Sequence, residues 1–582
     1  MTPRISVVIP TRNRRAHLLA TLAGLAAQRA GTPPFEVVVV SDGSTDDTAA
    51  AVRALAREAA WAGRPLRCVE QAWAGAAAAR NAGLRAATAE IILLLDDDVL
   101  AGPGLVAAHI ARQDAAGGVV ALGRIESEFV PGALGRALAV WWEDHYGRLA
   151  ARAPRFSDFF TANVSFPRAA GLAVGGLDER VAYGEDVEFG YRLAEAGLPF
   201  VYAPEAAART RNPKPGRALL RDFYRQGEGN VLIARKLPGA LPRLPLSAYG
   251  ETNLRMRLAR GALLRLAALP GGASLLDALF GRWAESRRSN LARRPLFELA
   301  RDHYFWRGVR ATVPGGAEWA RLASPGAPIL CYHSVRPGAR AARNVYAVEP
   351  AQLARQLALL RRLGYRPMPL EALVAVWAAG GLPPPRAVAI TFDDGYRDNL
   401  THAWPVLRRF DCPATVFFVT GRAGGVSLWD ARPNGGRQPL LTWDDVRWLD
   451  RVGFRAGAHT HTHADLTRVA PAEAEAELRL CREALQAQLG RPASLFAYPY
   501  GHNTGETQAQ VAAAGYQAAF SMRPGLNTLH TPRYDYRRME IRGTDSLLRF
   551  AVKLWTGDDP VRYLPGWSRW ERLHARLRGA AR

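Results

Sequence analysis

Three short runs hold most of the residues whose types and spacing could do chemistry. Asp96-Asp97-Asp98 follows the apolar stretch Ile91–Leu95, Asp393-Asp394-Gly395 follows Ala387–Phe392, and His459-Thr-His-Thr-His463 follows Arg455–Ala458. Adjacent carboxylates repel one another, so a cation is their natural resident. Hard oxygen donors suit Mg2+ or Mn2+, which in turn hold a diphosphate. His459 and His463 can converge from one turn, and one carboxylate completes a two-histidine, one-acid zinc site with open positions for water and substrate. The other carboxylate is then free to act as base. His461 alternates away from its two neighbours and falls outside this set. Each run alone reads equally as a turn, a solvated loop or a surface cluster; their company points to metal chemistry.

The elements that must position these runs are legible in the apolar patterning. Ile5–Ile9, Val37–Val40, Leu66–Val69 and Ile91–Leu95 are separated by alanine-rich amphipathic stretches such as Thr48–Trp61, the βαβ pattern of a parallel sheet. A second set, Ile329–Tyr332, Ala387–Phe392, Thr415–Val419, Arg455–Ala458 and Leu495–Tyr498, also alternates with helical stretches, of which Ala470–Leu489 is the clearest. Between the two sets, Arg217–Val313 has helical periodicity rich in Leu and Arg, broken at Pro238, Pro242, Pro245 and Pro270. The fold class is therefore α/β in both halves. Strand ends are where such folds bind ligands, which gathers Pro10, the Asp42-Gly43 turn and Asp96–Asp98 at one set of ends. Glu185-Asp186 opens an amphipathic helix, where the helix dipole alone would favour acids.

In order, the strand ending at Pro10, the Asp42-Gly43 turn, Arg80-Asn81, Asp96-x-Asp98 and Glu185-Asp186 resemble glycosyltransferase family 2 over roughly residues 1–235. The resemblance implies a GT-A, Rossmann-like domain that transfers a sugar, with inversion, from a nucleotide sugar to a glycan or lipid-linked glycan. A UDP-sugar is the expected donor. Pro10, Asp42, Arg80 and Asp96 would bind it, Asp42 at the base and Arg80 in support; Asp98 would join Asp96 in holding the metal-diphosphate, and Asp186 would be the general base. Many relatives carry a histidine after the Glu-Asp helix. Val201–Pro213 has none, only Arg209, Thr210 and Arg211, so the third metal contact is unassigned and Arg225 is an alternative phosphate partner.

Thr391-Phe-Asp-Asp-Gly395, His459-Thr-x-x-His463, Ala497-Tyr-Pro-Tyr-Gly501 and the opening Ile329-Leu-Cys-Tyr-His-Ser-Val335 resemble the NodB-homology polysaccharide deacetylases, carbohydrate esterase family 4. This implies a distorted (β/α) barrel in which Asp394, His459 and His463 bind Zn2+ and Asp393 is the base. The Tyr500 backbone N–H would stabilise the oxyanion of an attacked acetamide. Two departures stand out: Ala497 replaces an arginine that orients the catalytic aspartate, and the late Leu-x-His acid has only His530, at the wrong spacing, to represent it. The expected organisation is a transferase domain at 1–235, a helical connection at 236–325, a deacetylase domain at 326–548 and a tail at 549–582. A single-activity transferase with a degenerate, glycan-binding second domain is the alternative.

Composition narrows the partners. Of 582 residues, 48% are hydrophobic and 22% charged, a globular balance that disfavours disorder. The net charge of +23 is almost all arginine, since Lys214, Lys236 and Lys553 are the only lysines. No basic block is interleaved with stacking aromatics, so nucleic acid is not an expected partner. Arginines beside Leu, Phe and Trp in Leu254–Trp283 leave a helix at a membrane interface, or one packing on its own domain, as readings. Four isolated cysteines fit a reducing compartment, and no signal peptide or spanning segment is visible. The cytoplasm, with peripheral attachment to the inner face of the membrane left open, is the expected location.

Overall fold

The computed structural model describes residues 2–559 apart from 182, 213, 250–253, 289–293, 325, 340–344 and 430–436. The chain divides into two compact units: Met1–Leu246 with Arg255–Pro314, and Ser247–Leu254 with the residues from Gly315 onward.

In the first unit, β1 (Ile5–Thr11), β2 (Phe35–Asp42), β3 (Leu66–Gln71), β4 (Ile91–Leu95), β5 (Val99–Ala101), β6 (Val120–Phe129), β7 (Asn163–Pro167) and β8 (Phe200–Asn212) form one sheet in the order β3-β2-β1-β4-β7-β6-β8-β5. β1 pairs in parallel with both β2 and β4. The chain therefore winds outward from β1 in both directions and opens a crevice at the carboxyl ends of β1 and β4, where Pro10 and Asp96 emerge. Both faces are covered. Ile5, Val7, Ile9, Leu93 and Leu95 enter one core, and Val8, Ile92 and Leu94 enter the other, which is why these strands read as unbroken apolar runs. Thr48–Trp61 is not one helix: the α-helix stops at Leu55, Glu58 is extended, and Ala59–Trp61 is a 3-10 turn.

The helix Ala76–Ala86 presents Arg80 to the crevice. It lies close on β1 because Gly83 faces Val8; a Cβ at Gly83 would come 2.2 Å from Val8 Cγ1. Asn81 fixes its other side, donating to Leu177 O at 2.8 Å and Glu179 Oε1 at 2.9 Å while accepting from Leu177 N. The segment that leads to Glu185-Asp186 is thus tied to the helix that carries Arg80. Helices Gly216–Lys236 and Arg294–Thr312 pack together in the same unit, and the stretch read as Leu254–Trp283 is two helices, Leu254–Ala267 and Gly272–Glu285, turned at Gly271.

The second unit is a curled parallel sheet. Across it run Ala518–Phe520, Leu495–Ala497, Phe454–Ala458, Ala414–Phe418, Ala387–Phe392, Ile329–Tyr332 and Met539–Glu540, every neighbouring pair parallel, with Arg366–Pro367 beside Ala387. This is the distorted (β/α) barrel expected from the alternation of elements. Leu330, Ile390, Val416 and Phe496 lie in a core on one side, and Ile329, Ala389, Phe417 and Leu495 in a core on the other. The carboxyl ends of three central strands deliver Asp393, His459 and His333 to one place.

Among the described residues, no helix is long and apolar enough to cross a membrane. Gly83→Val is expected to lower stability by about 1–3 kcal/mol through overpacking, and chemical unfolding of the first unit measures it.

Two candidate active sites

The crevice of the first unit is a cavity of about 750 Å³ whose walls include Pro10, Asp42, Trp73, Arg80 and Asp96–Asp98. Asp42 ends β2, and Gly43 turns with φ of 63°; a Cβ there would meet Trp73 N at 2.7 Å. The Asp42 carboxylate is already at work. Its Oδ1 accepts from Gln71 Nε2 and Ala74 N, both at 2.8 Å, and its Oδ2 from Gly75 N at 2.9 Å, so it shapes the loop that holds Trp73. Trp73 itself is 65% exposed, with the Arg12 guanidinium 4.9 Å above its ring. The wall also includes Trp142, Phe160, Tyr146 and His145, whose Nε2 is buried without a hydrogen-bond partner.

The acidic run is neutralised by arginines. Arg80 spans Asp96 at 2.8 Å and Glu185 at 3.1 Å, joining the two acidic motifs. Arg14 meets Asp97 at 2.7 Å and Asp98 at 2.8 Å, while Asp97 also accepts from Thr11 Oγ1. Burial pushes Asp97 up to about 6. Burial, reinforced by the Glu185 charge, pushes Asp186 up to about 7, against Arg80 pulling the other way. Of the residues that stand where a histidine was expected, Thr210 lines the cavity, and its hydroxyl donates to Asp98 O at 3.0 Å. Arg225 is exposed and does not line the cavity. The carboxylates suit a hard divalent ion by donor chemistry, and Asp98 would have to exchange Arg14 for it.

In the second unit, Asp394, His459 and His463 are buried, with ligand atoms all within 4.8 Å of one another. The Asp394 Oδ1 lies 3.1 Å from His463 Nε2 and 3.4 Å from His459 Nε2. The histidines do not come from one helical turn: Thr460 at φ 57° and His463 at φ 72° bend a loop so that both rings face Asp394. His459 Nδ1 is 2.8 Å from Ala497 O, the second contact that fixes a ligating imidazole's ring. Burial resists the charge on Asp394, but the two imidazoles hold it well below the usual carboxylate range, and burial lowers His463. A buried carboxylate with two imidazoles, one kept neutral, fits a zinc-type ion. His461 turns to Thr420 Oγ1 at 3.0 Å, and His530 to Ser247 Oγ, neither joining the cluster. Tyr500 packs its ring against His463, centroids 4.8 Å apart.

Residues 6–168 match the family description "Glycosyl transferase family 2", residues 91–269 "Glycosyl transferase family group 2", and residues 380–519 "Polysaccharide deacetylase". The chain joins a glycosyltransferase domain to a polysaccharide deacetylase domain. It is 36% identical over 243 residues to validoxylamine A glucosyltransferase of Streptomyces hygroscopicus subsp. jinggangensis (strain 5008), covering 35% of this chain and 54% of that protein. It is 26% identical over 261 residues to poly-beta-1,6-N-acetyl-D-glucosamine N-deacetylase of Escherichia coli (strain K12), covering 39% of this chain and 38% of that one. The chain thus spans about half the length, or less, of these relatives. The mannosyltransferase PcManGT of Pyrobaculum calidifontis, solved with GDP-Man and Mn2+, is 22% identical, with 54% of this chain and 88% of that one covered at a TM-score of 0.39.

Two residues of the deacetylase domain escaped the reading of its sequence. Arg538 stands where the missing arginine of the third motif would act: it is fully buried and forks onto Asp393, Nη1 to Oδ1 at 2.6 Å and Nη2 to Oδ2 at 2.7 Å. Burial opposes ionisation of Asp393, but Arg538 and then His459 hold it below its ordinary value. No short motif marks Arg538. His333 did leave a signal, in the Tyr332-His333-Ser334 that ends the first strand; its ring nitrogen is within 4.8 Å of an Asp393 oxygen, and its Nδ1 is buried without a partner.

Removing one member of a buried ion pair strands the other. Arg538→Ala should cost the deacetylase domain about 3–5 kcal/mol in chemical unfolding, and Arg538→Lys, which keeps the charge but loses the fork, should cost less.

Proposed function

We propose that the protein is a bifunctional enzyme of polysaccharide or glycolipid synthesis: it transfers a sugar from a nucleotide sugar with inversion and removes acetyl groups from an N-acetylated sugar of the same glycan. The observation that carries the reading is the Arg538–Asp393 fork beside the Asp394, His459 and His463 cluster. It supplies, from another part of the chain, the oriented and ionised carboxylate that Ala497 had put in doubt.

In the transferase domain, Trp73 and Arg12 offer a stacking face for the base beside Asp42 and Pro10, a UDP-sugar being the expected donor. The rings of Trp142 and Phe160 face the acceptor, a glycan or lipid-linked glycan. Mg2+ or Mn2+ held by Asp96 and Asp98 would offset the charge of the departing diphosphate. Arg80 keeps Asp96 and Glu185 in register, and Asp186 takes the proton of the acceptor hydroxyl. With its carboxyl near neutrality, Asp186 is both ionised in part and basic enough to do so.

In the deacetylase domain, Zn2+ held by Asp394, His459 and His463 would supply Lewis acidity to the amide carbonyl and to water. Asp393 accepts the proton from water through a lone pair that the Arg538 fork leaves open. His333 then donates a proton to the leaving amine, and the Tyr500 N–H supports the oxyanion. Acetate and a free amine are the products. A cytoplasmic location, where nucleotide sugars are made, accommodates both reactions.

Purified protein should release acetate from short N-acetylglucosamine oligomers in a zinc-dependent way, and Asp393→Asn should abolish release without unfolding the domain. Equal release by the variant would sink the assignment of the base. For the transferase, sugar-nucleotide turnover should rise with pH through about 7 as Asp186 loses its proton, and Asp186→Asn should lower it by about 10²-fold or more; a flat profile would remove Asp186 from that role.

A further inference from the structure

Two consecutive helices of the first unit each leave one face open, and the two faces share an unusual composition. On Leu254–Ala267, Arg255, Leu258, Ala262 and Arg265 are exposed at helical spacing, and the stripe continues into Leu269 at the corner. On Gly272–Glu285 the exposed stripe is Leu275, Ala278, Leu279 and Arg282. The leucines are far from buried: Leu258 is 47% exposed, Leu269 59%, Leu275 51% and Leu279 52%. The opposite faces are anchored. Arg260, 1% exposed, is locked to Asp302, and Leu276 and Ala284 are buried.

Charge separates these stripes from an ordinary solvated surface. Leu254–Ala267 contains no acid at all. The acids of the second helix are held from other helices: Asp277 by Arg307 and the Tyr304 hydroxyl, Glu285 by Arg217 at 3.4 Å. Arg255, Arg265 and Arg282 have no carboxylate partner among the described residues. Leucine interleaved with arginine that has no carboxylate partner, the two nearby acids Asp277 and Glu285 being half-exposed but already paired with arginines of other helices, matches a surface that is apolar beneath and anionic above. A second copy of the same face would bring guanidinium against guanidinium, and a nucleic acid would leave four leucines in water.

We propose that this helical corner seats the protein on an anionic lipid bilayer, with Leu258, Leu269, Leu275 and Leu279 in the headgroup boundary and Arg255, Arg265 and Arg282 on lipid phosphates. The assignment is independent of either catalytic reading, since it rests on residues outside both sites.

The test is co-sedimentation of the full chain with vesicles of phosphatidylcholine, with and without about one-third phosphatidylglycerol. Wild type should bind the anionic vesicles at least tenfold more tightly than the zwitterionic ones. The variant L269S/L275S/L279S and the variant R255Q/R265Q/R282Q should each lose at least tenfold, with sugar-nucleotide turnover in solution unchanged. Should the leucine variant unfold, the arginine variant decides alone, because its positions are exposed and unpaired. No binding by wild type, equal binding to both vesicles, or wild-type binding by the folded variants would each overturn the proposal. So would wild-type self-association that the leucine variant abolishes in the absence of vesicle binding.

Discussion

A carboxylate withdrawn from water at the end of a buried strand must be neutralised where it stands, because isolated charge in a protein interior costs several kcal/mol. Both halves of this chain are organised around that constraint. In the transferase domain, Arg14 and Arg80 reach in from flanking elements to the acids that follow β4. In the deacetylase domain, Arg538 compensates Asp393, and two imidazoles compensate Asp394. The same acids are the ones to which the proposed chemistry falls, so the groups that make the fold tolerable also set how readily each acid ionises. Asp393 is held ionised by a fork at close range; Asp186, with Arg80 acting only at a distance and Glu185 beside it, sits near neutrality.

The strands were the most legible part of the sequence. Ile91–Leu95, Ile329–Tyr332 and Ala387–Phe392 appear with the bounds their apolar runs predict, because a strand covered on both faces has no polar position to blur its ends. The Thr48–Trp61 stretch misled because alanine-rich helical spacing carries no stop signal at Leu55. The metal cluster was legible residue by residue but not in its geometry. Spacing of four suggested convergence from one turn, and the turn is a loop in which two left-handed residues bring His459 and His463 together.

What could not be read was partnership at long range. Asp42 looked like a free ligand-binding carboxylate, yet its oxygens are bonded to Gln71, Ala74 and Gly75, because a turn after β2 needs acceptors for exposed N–H groups and the nearest side chain supplies them. Arg538 carries no motif around it, and only the return of the chain past Ser521 to the first strand brings it to Asp393. His333 lay in plain view as the residue after an apolar strand. Its isolation from the Asp-Asp and His-x-x-x-His runs hid it.

The place of Arg538 in the chain has a consequence for how the deacetylase domain is made. Asp393 and its counter-ion are 145 positions apart, and Met539–Glu540, immediately after Arg538, is the outermost strand on that side of the sheet. During synthesis, every central strand is available before the arginine that neutralises the first aspartate exists. The growing domain must therefore hold Asp393 either protonated or still in water until its final strand arrives. Closure of the sheet and burial of the ionised Asp393 against its counter-ion are then one event, and a domain cut short before that strand would lack the guanidinium that keeps this carboxylate charged in the interior.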